Sequence, residues 1–385
     1  MKKIGILLLV TIMVFSVTSC NQGTQATVNT STTPAATTVN TSTTPAATSD
    51  ASVESNKKDD KAPVIGFAVY DYSNAYMAYV RKGIENYCAD GKATLKIVDS
   101  ANDQTKQNDQ VQTLIQNKVD ILIVNLVDPG AGKTILDAAK TANIPVCFIN
   151  RAPNLEILNT WDKSWYVGIN WLTPGLVEAD VVKADWEAHQ NEMDKNKDGI
   201  LQYVLVQGNI SQQDAIYRTQ AINDQFSAWN TDSSLKNEQL AIQEAGWNTT
   251  KAKELMETWL VKYGNGIEAV VCNNDAMAMG VIEALRGNGY YDDQSKKVWV
   301  YGINALPQVW TLLENKELSG TVLTSPWLQA TAAIDICIDT FNGRVPLEGS
   351  DYKWSGDSGR EIRVDNTVIN LDNIEIAKDA YNQCS

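Results

Sequence analysis

The stretch that decides the fold is VIGFAVY, residues 64–70, a short run of apolar and β-branched side chains. A run of this length and composition predicts a strand that is buried on both faces of a parallel sheet. The segment behind it, MAYVRKGIENYCAD (residues 77–90), has the spacing of apolar residues that is typical of an amphipathic helix. The same alternation of strand and helix recurs downstream in TLKIVD (94–99), residues 104–117, ILIVNL (121–126), residues 132–141 and IPVCFIN (144–150).

A second series of the same kind follows further along the chain. Its predicted strands are YVLVQG (203–208), IEAVVC (267–272) and VWVYGI (298–303), and its predicted helices are 215–229, 251–261 and 276–286. Strands that alternate with helices form parallel sheets that are covered on both faces. The two series therefore predict an α/β protein with two doubly wound parallel-sheet lobes. In such sheets, ligands bind beyond the carboxyl ends of the strands.

The N-terminal 62 residues have a different character. Residues 1–20 resemble an export signal, with Lys2, Lys3, an apolar run and small residues before Cys20, and the run is too short for a membrane-spanning helix. The ending Val-Thr-Ser-Cys resembles the lipobox of bacterial lipoproteins, in which the cysteine is lipidated; an ordinary cleaved signal is the alternative. Residues 21–62 consist mainly of small and polar residues, and we expect a disordered tether. These features predict lipid anchoring to the bacterial membrane, at the cell surface or in the periplasm.

The charge and the motifs exclude several classes of protein. The chain has 32 basic and 46 acidic residues, a net charge of −14, and loss of Lys2 and Lys3 with the signal leaves 30 against 46, or −16. Such an acidic chain is a poor candidate for binding nucleic acid. No glycine-rich dinucleotide motif or phosphate-binding loop follows a predicted strand. The only histidine, His189, lies on a charged helix and is best interpreted as solvated. We therefore predict a protein that is not an enzyme.

One loop has the pattern of a metal site. Residues 194–202, DKNKDGILQ, match the first nine positions of an EF-hand calcium loop. The ligand positions fall on Asp194, Asn196, Asp198, the carbonyl of Ile200, and Gln202. The glutamate expected at position 12 is replaced by Leu205, so a carboxylate from elsewhere has to complete the site, and Glu268 is a candidate. A Ca²⁺ ion in such a closed oxygen cage would be structural, and a charged turn is the alternative interpretation.

Several stretches together resemble the galactose- and glucose-binding proteins of the type I periplasmic (ribose-type) solute-binding protein family. They are IGFAVYDYSNAYM, SANDQTKQNDQ, NLVDPGAGKTI, IPVCFINRAP, MDKNKDGILQYVL, CNNDAMAMGVIEAL, GINALPQV and LSGTVL, and they span the chain from about Val64 to its C-terminus. The resemblance implies two lobes joined by a three-crossing hinge, with crossings near residues 168–170, 323–325 and 363–367. It places the N-terminal lobe at 63–169 plus 325–363, and the C-terminal lobe at 170–324 plus 364–385. It also implies that the loop at 194–202 binds calcium, with Glu268 as the last ligand.

The resemblance further implies which residues bind the ligand. The family holds a sugar ring between two aromatic side chains, one from each lobe, and the matching positions are Tyr76 and Trp247. The polar positions that match unchanged are Asn150, Asp214, Arg218 and Asn274. Four further positions differ from the family pattern: Asn74 and Asn304 replace aspartates, Gln212 replaces a histidine, and Thr324 replaces an asparagine. A mismatched buried polar group costs about 1–3 kcal/mol, so the ligand is predicted to be galactose, glucose or a related sugar whose identity stays open.

By this resemblance, we expect the chain to capture a monosaccharide between its lobes and to deliver it to an ABC transporter permease. A sensor that presents its closed form to a chemoreceptor or a sensor kinase would use the same conformation, so this alternative stays open. A polar ligand other than glucose or galactose also stays open. A secreted glycosidase is disfavoured, because the sequence gives no pair of carboxylates held across a matched cleft.

Overall fold

The computed structural model of the chain describes residues 61–89, 91–356 and 358–385. The predicted signal peptide, Cys20 and the predicted tether up to residue 60 lie outside the described residues. Within the described ranges, no helix combines the length and the apolar composition that crossing a membrane requires.

Strands and helices alternate along most of the described chain. The strands are β1 Val64–Val69, β2 Thr94–Asp99, β3 Ile121–Val124, β4 Val146–Ile149, β5 Ser164–Ile169, β6 Leu201–Gln207, β7 Asn237–Glu244, β8 Ala269–Cys272, β9 Trp299–Asn304, β10 Gly320–Thr324, β11 Glu361–Val364 and β12 Asn366–Ile369. The α-helices are α1 Ala75–Cys88, α2 Gln104–Gln116, α3 Gly132–Thr141, α4 Thr173–Met193, α5 Gln213–Asp232, α6 Thr249–Tyr263, α7 Asp275–Gly287, α8 Trp310–Glu314, α9 Pro326–Phe341 and α10 Ile374–Asn382.

The described strands form two six-stranded sheets. The first sheet has the order β11-β5-β4-β3-β1-β2, and all its neighbours are parallel. The second has the order β12-β10-β9-β8-β6-β7 and is parallel except for β12. The predicted α/β architecture of two parallel-sheet lobes is confirmed, with one antiparallel edge strand that the sequence did not indicate.

The antiparallel edge follows from a very short connection. Only Asp365 separates β11, in the first sheet, from β12, in the second. After the carboxyl end of β11, the chain reaches the second sheet at the edge where the carboxyl ends of β6, β8, β9 and β10 lie. It therefore runs against them, and β12 pairs antiparallel with β10.

The chain passes between the two sheets at three places. It leaves the first sheet after Ile169, returns after Thr324 and leaves again after Val364. Between the second and third passages, α9 packs on α1 of the first lobe. The predicted lobe boundaries and hinge crossings stay predictions.

Strand β1 illustrates why both faces of a sheet are covered. Successive side chains of a strand point to opposite faces. Ile65, Phe67 and Val69 pack into the apolar cluster that includes α1, whereas Ala68 packs into the cluster that includes α2 and α3. With both faces covered, the open part of each lobe is the set of loops beyond the carboxyl ends of its strands.

Candidate functional site

Loops from both lobes line a large cavity. It has a volume of about 480 Å³, within the range of about 300–1,000 Å³ that is typical of small-molecule sites. A recess of about 30 Å³ adjoins it. We call the cavity and the recess together the cleft, and we call the recess alone the inner cleft. The inner cleft is lined by Tyr70, Asn74, Tyr76, Asn150, Arg151, Asp214, Arg218, Trp247, Asn274 and Asn304.

The cleft brings together nine of the ten residues predicted to bind the ligand. Eight of them line the inner cleft, and Gln212 lines the larger cavity. The structure does not bring the tenth, Thr324, to either cavity. Its side chain is buried, and its hydroxyl accepts a hydrogen bond from the Asn366 amide at 3.0 Å. Thr324 therefore joins β10 to β12 beside a passage between the sheets.

The two predicted aromatic side chains reach the cleft from different lobes. Tyr76 lies in the first turn of α1, and its hydroxyl accepts a hydrogen bond from Nε2 of the buried Gln329 at 2.7 Å. Trp247 precedes α6, and its Nε1–H donates to Oε1 of Gln212 at 2.6 Å. The Trp247 ring also lies against Gly208, where a Cβ atom would come within 2.1 Å of it. Neighbouring residues thus hold both rings in position at the cleft.

Three residues of the inner cleft have left-handed backbone conformations. The φ angles are 64° at Asn150, 67° at Trp247 and 121° at Asn304. For residues other than glycine such conformations cost about 1–3 kcal/mol each, and they concentrate at functional sites. Each of these residues follows the carboxyl end of a strand or ends one, so the strain accompanies the sharp turns that aim their side chains at the cleft.

The first turns of α5 place two charged residues at the inner cleft. Arg218 is only 4 % exposed, and its Nη1 donates to the Asn273 carbonyl at 2.6 Å. Asp214 lies one turn earlier, and its buried Oδ1 has no hydrogen-bond partner among the described residues. Behind Arg218 lies Glu178, whose pKa burial raises well above its usual range.

Arg151 is a cleft residue that the sequence reasoning missed. Its Nη1 donates to the carbonyls of Leu126 and Val127 at 3.2 and 3.1 Å. Its Nη2 donates across the cleft to Oε1 of Gln212 at 2.7 Å, and its guanidinium lies 3.6 Å from the centre of the Tyr70 ring. The available signal was its position, directly after Asn150 at the end of a buried strand.

The predicted calcium loop is closed by hydrogen bonds around Asp194. The carboxylate of Asp194 accepts the backbone N–H groups of Asp198 and Gly199 at 3.1 and 2.9 Å. Glu268 accepts the backbone N–H groups of Lys195 and Gln202 at 2.7 and 3.0 Å, so it is tied to the loop from 66 residues further along the chain.

The side chains of this loop can supply the oxygen ligands that calcium prefers. The side-chain amides of Asn196 and Gln202 both point their N–H groups at Oδ2 of Asp198, at 2.8 and 2.9 Å. Rotation of either amide would place its oxygen there instead, and oxygen ligands are those that Ca²⁺ takes. Among the described residues, no group of three or more Asp, Glu, His or Cys side chains is arranged to hold a metal ion. An ion here would therefore depend on amide and carbonyl oxygens as well.

Comparisons with known proteins give a consistent result. Residues 65–344 match the family model described as periplasmic binding protein domain. The chain is 34 % identical over 312 residues to the D-galactose/methyl-galactoside binding periplasmic protein of Haemophilus influenzae, covering 80 % of this chain and 90 % of the relative. It is 31 % identical to a putative rhizopine-binding protein of Rhizobium meliloti, covering 73 % and 85 %.

Solved structures resemble this fold over most of its length. One is an ABC transporter solute binding protein from Bacillus halodurans with bound myo-inositol, with a TM-score of 0.67, 23 % identity, and coverage of 84 % of this chain and 100 % of that one. Another is a periplasmic solute binding protein from Actinobacillus succinogenes with bound D-allose, with a TM-score of 0.67, 20 % identity, and coverage of 82 % and 99 %. At these identities the likeness concerns the fold alone.

Proposed function

The chain belongs to the periplasmic binding protein family, and from that premise we propose that it captures a monosaccharide between its two lobes and delivers it to an ABC transporter. The family is one of solute-binding proteins and not of enzymes. One observation carries the proposal: Tyr76 and Trp247, from different lobes, line the same inner cleft as a ring of amide and charged side chains. Relatives that bind galactoside and rhizopine support a small polar ligand.

The aromatic and the polar residues of the cleft have different roles in binding. Flat aromatic rings bury the apolar C–H faces of a sugar. The polar side chains fix the orientation of its hydroxyl groups. Because the lining comes from both lobes, a ligand makes its full set of contacts only when the lobes are closed. Its differential affinity for that state would drive closure around the three passages between the sheets.

A calorimetric titration against pentoses, hexoses, their methyl glycosides and cyclic polyols tests this function. At least one compound should bind with 1:1 stoichiometry. Trp247→Ala should weaken that binding by about tenfold or more, because a large aromatic surface no longer covers the ligand. Trp161→Ala, at a half-buried tryptophan that does not line the cleft, is the matched control. Equal affinity in both variants would contradict the role of Trp247.

A strain in which the gene for this protein is deleted distinguishes delivery to a transporter from sensing. Loss of uptake of the bound sugar is the result that delivery to a transporter requires. Normal uptake with altered taxis or gene expression would instead favour a chemoreceptor or a sensor kinase as the partner of the closed form.

We propose that Cys20 anchors the protein to the membrane through a lipid. The relatives described as periplasmic support export, and the lipobox-like sequence before Cys20 supports the anchor. In the native host, Cys20→Ser should move the protein from the membrane fraction to the soluble fraction after cell lysis. A wild-type protein that is already soluble would refute the anchor.

We also propose that the loop at 194–202 holds a structural Ca²⁺ ion. Its ligands would be Asp194, Asn196, Asp198, the Ile200 carbonyl, Gln202 and Glu268. The bonds from Glu268 to the loop support this set. A ligand present at about 100 times its Kd stabilises a fold by about 2.7 kcal/mol, so a chelator should lower the melting temperature.

Asp198→Ala should abolish both the bound metal and this effect of the chelator. Asp232→Ala is the matched control, since Asp232 also accepts a backbone N–H in an exposed turn, at 2.8 Å. Unchanged metal content in Asp198→Ala would mean that the loop is a charged turn and not a calcium site.

A further inference from the structure

Arg151 and Gln212 form a hydrogen bond between the two lobes. Arg151 follows β4 of the first sheet, and its Nη2 donates at 2.7 Å to Oε1 of Gln212, which precedes α5 of the second lobe. Both residues are more than nine-tenths buried. Among the described residues that line the cleft, no other side-chain hydrogen bond joins the two lobes. This bond can therefore form only while the lobes lie together across the cleft.

Arg151 is fixed on the side of the first lobe. Its Nη1 donates to the carbonyls of Leu126 and Val127 at 3.2 and 3.1 Å. Its guanidinium also lies 3.6 Å from the centre of the Tyr70 ring, which is within the range of a cation–π contact. A guanidinium is planar and holds its N–H groups in a fixed fork, so these contacts set the direction of Nη2. Arg151 thus presents one donor to the second lobe at a defined place.

The side-chain oxygen of Gln212 connects Arg151 to Trp247. Besides the bond from Arg151, Oε1 accepts a hydrogen bond from Nε1 of Trp247 at 2.6 Å. An amide oxygen has two lone pairs, so the two donors together can use its whole accepting capacity. Gln212 stands at the N-cap of α5, but its side chain makes no capping hydrogen bond. The two donors, and not the start of the helix, therefore hold this side chain.

The position of the Trp247 ring depends on this oxygen. Gly208 lies against the ring and limits its movement in one direction. The hydrogen bond from Nε1 to Gln212 fixes one point on the edge of the ring. A glutamine side chain is long and gains rotamer freedom when a partner is lost. Loss of the bond from Arg151 should therefore let Gln212 move, and the Trp247 ring with it.

We propose that Arg151 and Gln212 are positioning residues that set the Trp247 ring for stacking on a sugar when the lobes close. The inference rests on the proposed sugar-binding function and adds how closure and stacking are linked. Opening of the lobes separates Arg151 from Gln212 and loosens the ring, and closure restores both hydrogen bonds to the Gln212 oxygen. Stacking is thereby strongest in the closed state, which gives a sugar the differential affinity that closure requires.

Fluorine NMR of the full chain labelled with 5-fluorotryptophan tests this link without any ligand. Of the 11 tryptophans, Trp247 is assigned by the resonance that is missing from Trp247→Phe. Arg151→Met should move or split this resonance. Arg344→Met is the control and should leave it unchanged, since Arg344 is half-exposed, pairs with Asp339 and does not line the cleft. An unchanged Trp247 resonance in Arg151→Met would overturn the proposal.

Substitutions of Gln212 test the link from its other end, which also covers the case that Arg151→Met does not fold. Gln212→Leu removes the shared acceptor, whereas Gln212→Glu keeps oxygen acceptors for the same two donors. The Trp247 resonance should move in the Leu variant and stay nearer to its wild-type position in the Glu variant. An equal or larger displacement in the Glu variant would contradict the role of the oxygen.

Calorimetry with D-galactose, D-glucose and methyl β-D-galactoside tests the effect on binding. For a sugar that binds the wild type, Arg151→Met should weaken binding by about ten- to a hundredfold, the range expected for a hydrogen bond to a charged group. In the Gln212→Leu background the same substitution should change affinity by no more than about twofold, because the link is already broken. An equal loss in both backgrounds would mean that Arg151 contacts the sugar directly, and it would overturn the proposal.

The two measurements separate this inference from the function on which it rests. If no compound of the wider panel binds, the sugar-binding function fails, and the Trp247 resonance still decides whether Arg151 and Gln212 hold the ring. If a sugar binds and the resonance does not respond to Arg151→Met, the function stands and the positioning role is refuted.

Discussion

The position of Trp247 depends on the absence of a side chain at Gly208. A Cβ atom on Gly208 would lie 2.1 Å from Cη2 of Trp247, and 2.3 Å from Cζ2 and Cζ3. Carbon atoms pack at about 3.5 Å or more, so the substitution Gly208→Ala forces the ring back by about 1.4 Å. A ring displaced by that amount also loses its hydrogen bond to Gln212, which is 2.6 Å long.

The expected cost comes from two terms. Overpacking by one methyl group in a tight site costs about 1–3 kcal/mol, and the lost hydrogen bond costs about 1 kcal/mol. A ligand in the inner cleft would hold the ring against Gly208, so we expect the strain to fall mainly on the ligand-bound state. Together these terms amount to about 2–4 kcal/mol, so we expect the Kd of Gly208→Ala to rise by about 30- to 900-fold, with a smaller effect on the melting temperature of the free protein.

The assay is calorimetry with whichever compound binds the wild type, together with thermal unfolding of the free protein. Gly287→Ala is the matched control, because a Cβ at Gly287 meets no atom within 4 Å. An unchanged Kd in Gly208→Ala would refute the idea that the Trp247 ring forms one side of the ligand site. A large fall in melting temperature with an unchanged Kd would place the strain in the free state instead.

Two further predictions concern buried polar groups beside the cleft. Burial raises the pKa of Glu178, so the folded state binds this proton more tightly than the unfolded state does. The stability that this gives at a pH below the usual carboxyl pKa is lost as the pH rises toward the raised pKa. Glu178→Gln should therefore increase the free energy of unfolding at pH 7 by about 1–3 kcal/mol and change it little at pH 4, and equal effects at both pH values would contradict this. Tyr76→Phe removes the acceptor of the buried Gln329 amide, so it should cost about 1–3 kcal/mol of stability. It should leave ligand affinity within about twofold; a large loss of affinity without a loss of stability would mean that the hydroxyl contacts the ligand.

The elements of the fold that could be predicted were those with a strong local pattern of apolar residues. Strands such as β1, β3 and β8 are continuous apolar runs because both faces are buried, and the sequence indicated them directly. The strands that it did not indicate lie towards the edges of the sheets. β7 is half exposed and polar, and β11 and β12 have four residues each. Their pairing is decided by the neighbouring strand, so no local signal marks them.

The cleft was predictable in position but only partly in composition. Resemblance to a family located the strand ends that supply most of the lining. It did not single out Arg151, because an arginine after a strand is usually solvated. One of the partners of this side chain is Gln212, which lies 61 residues further along the chain and in the other lobe. That contact exists only when the tertiary structure brings the two lobes together.

The orientation of the cleft amides is set locally in two cases of four. Asn74 and Asn274 are N-caps, and capping uses the side-chain oxygen, but the predicted helices began at residues 77 and 276, so the exact helix starts had to come from the structure. For Gln212 and Asn150, the partners that fix the amide come from distant parts of the chain. An asparagine in place of an aspartate at such a cap keeps the helix start and removes a negative charge from the cleft.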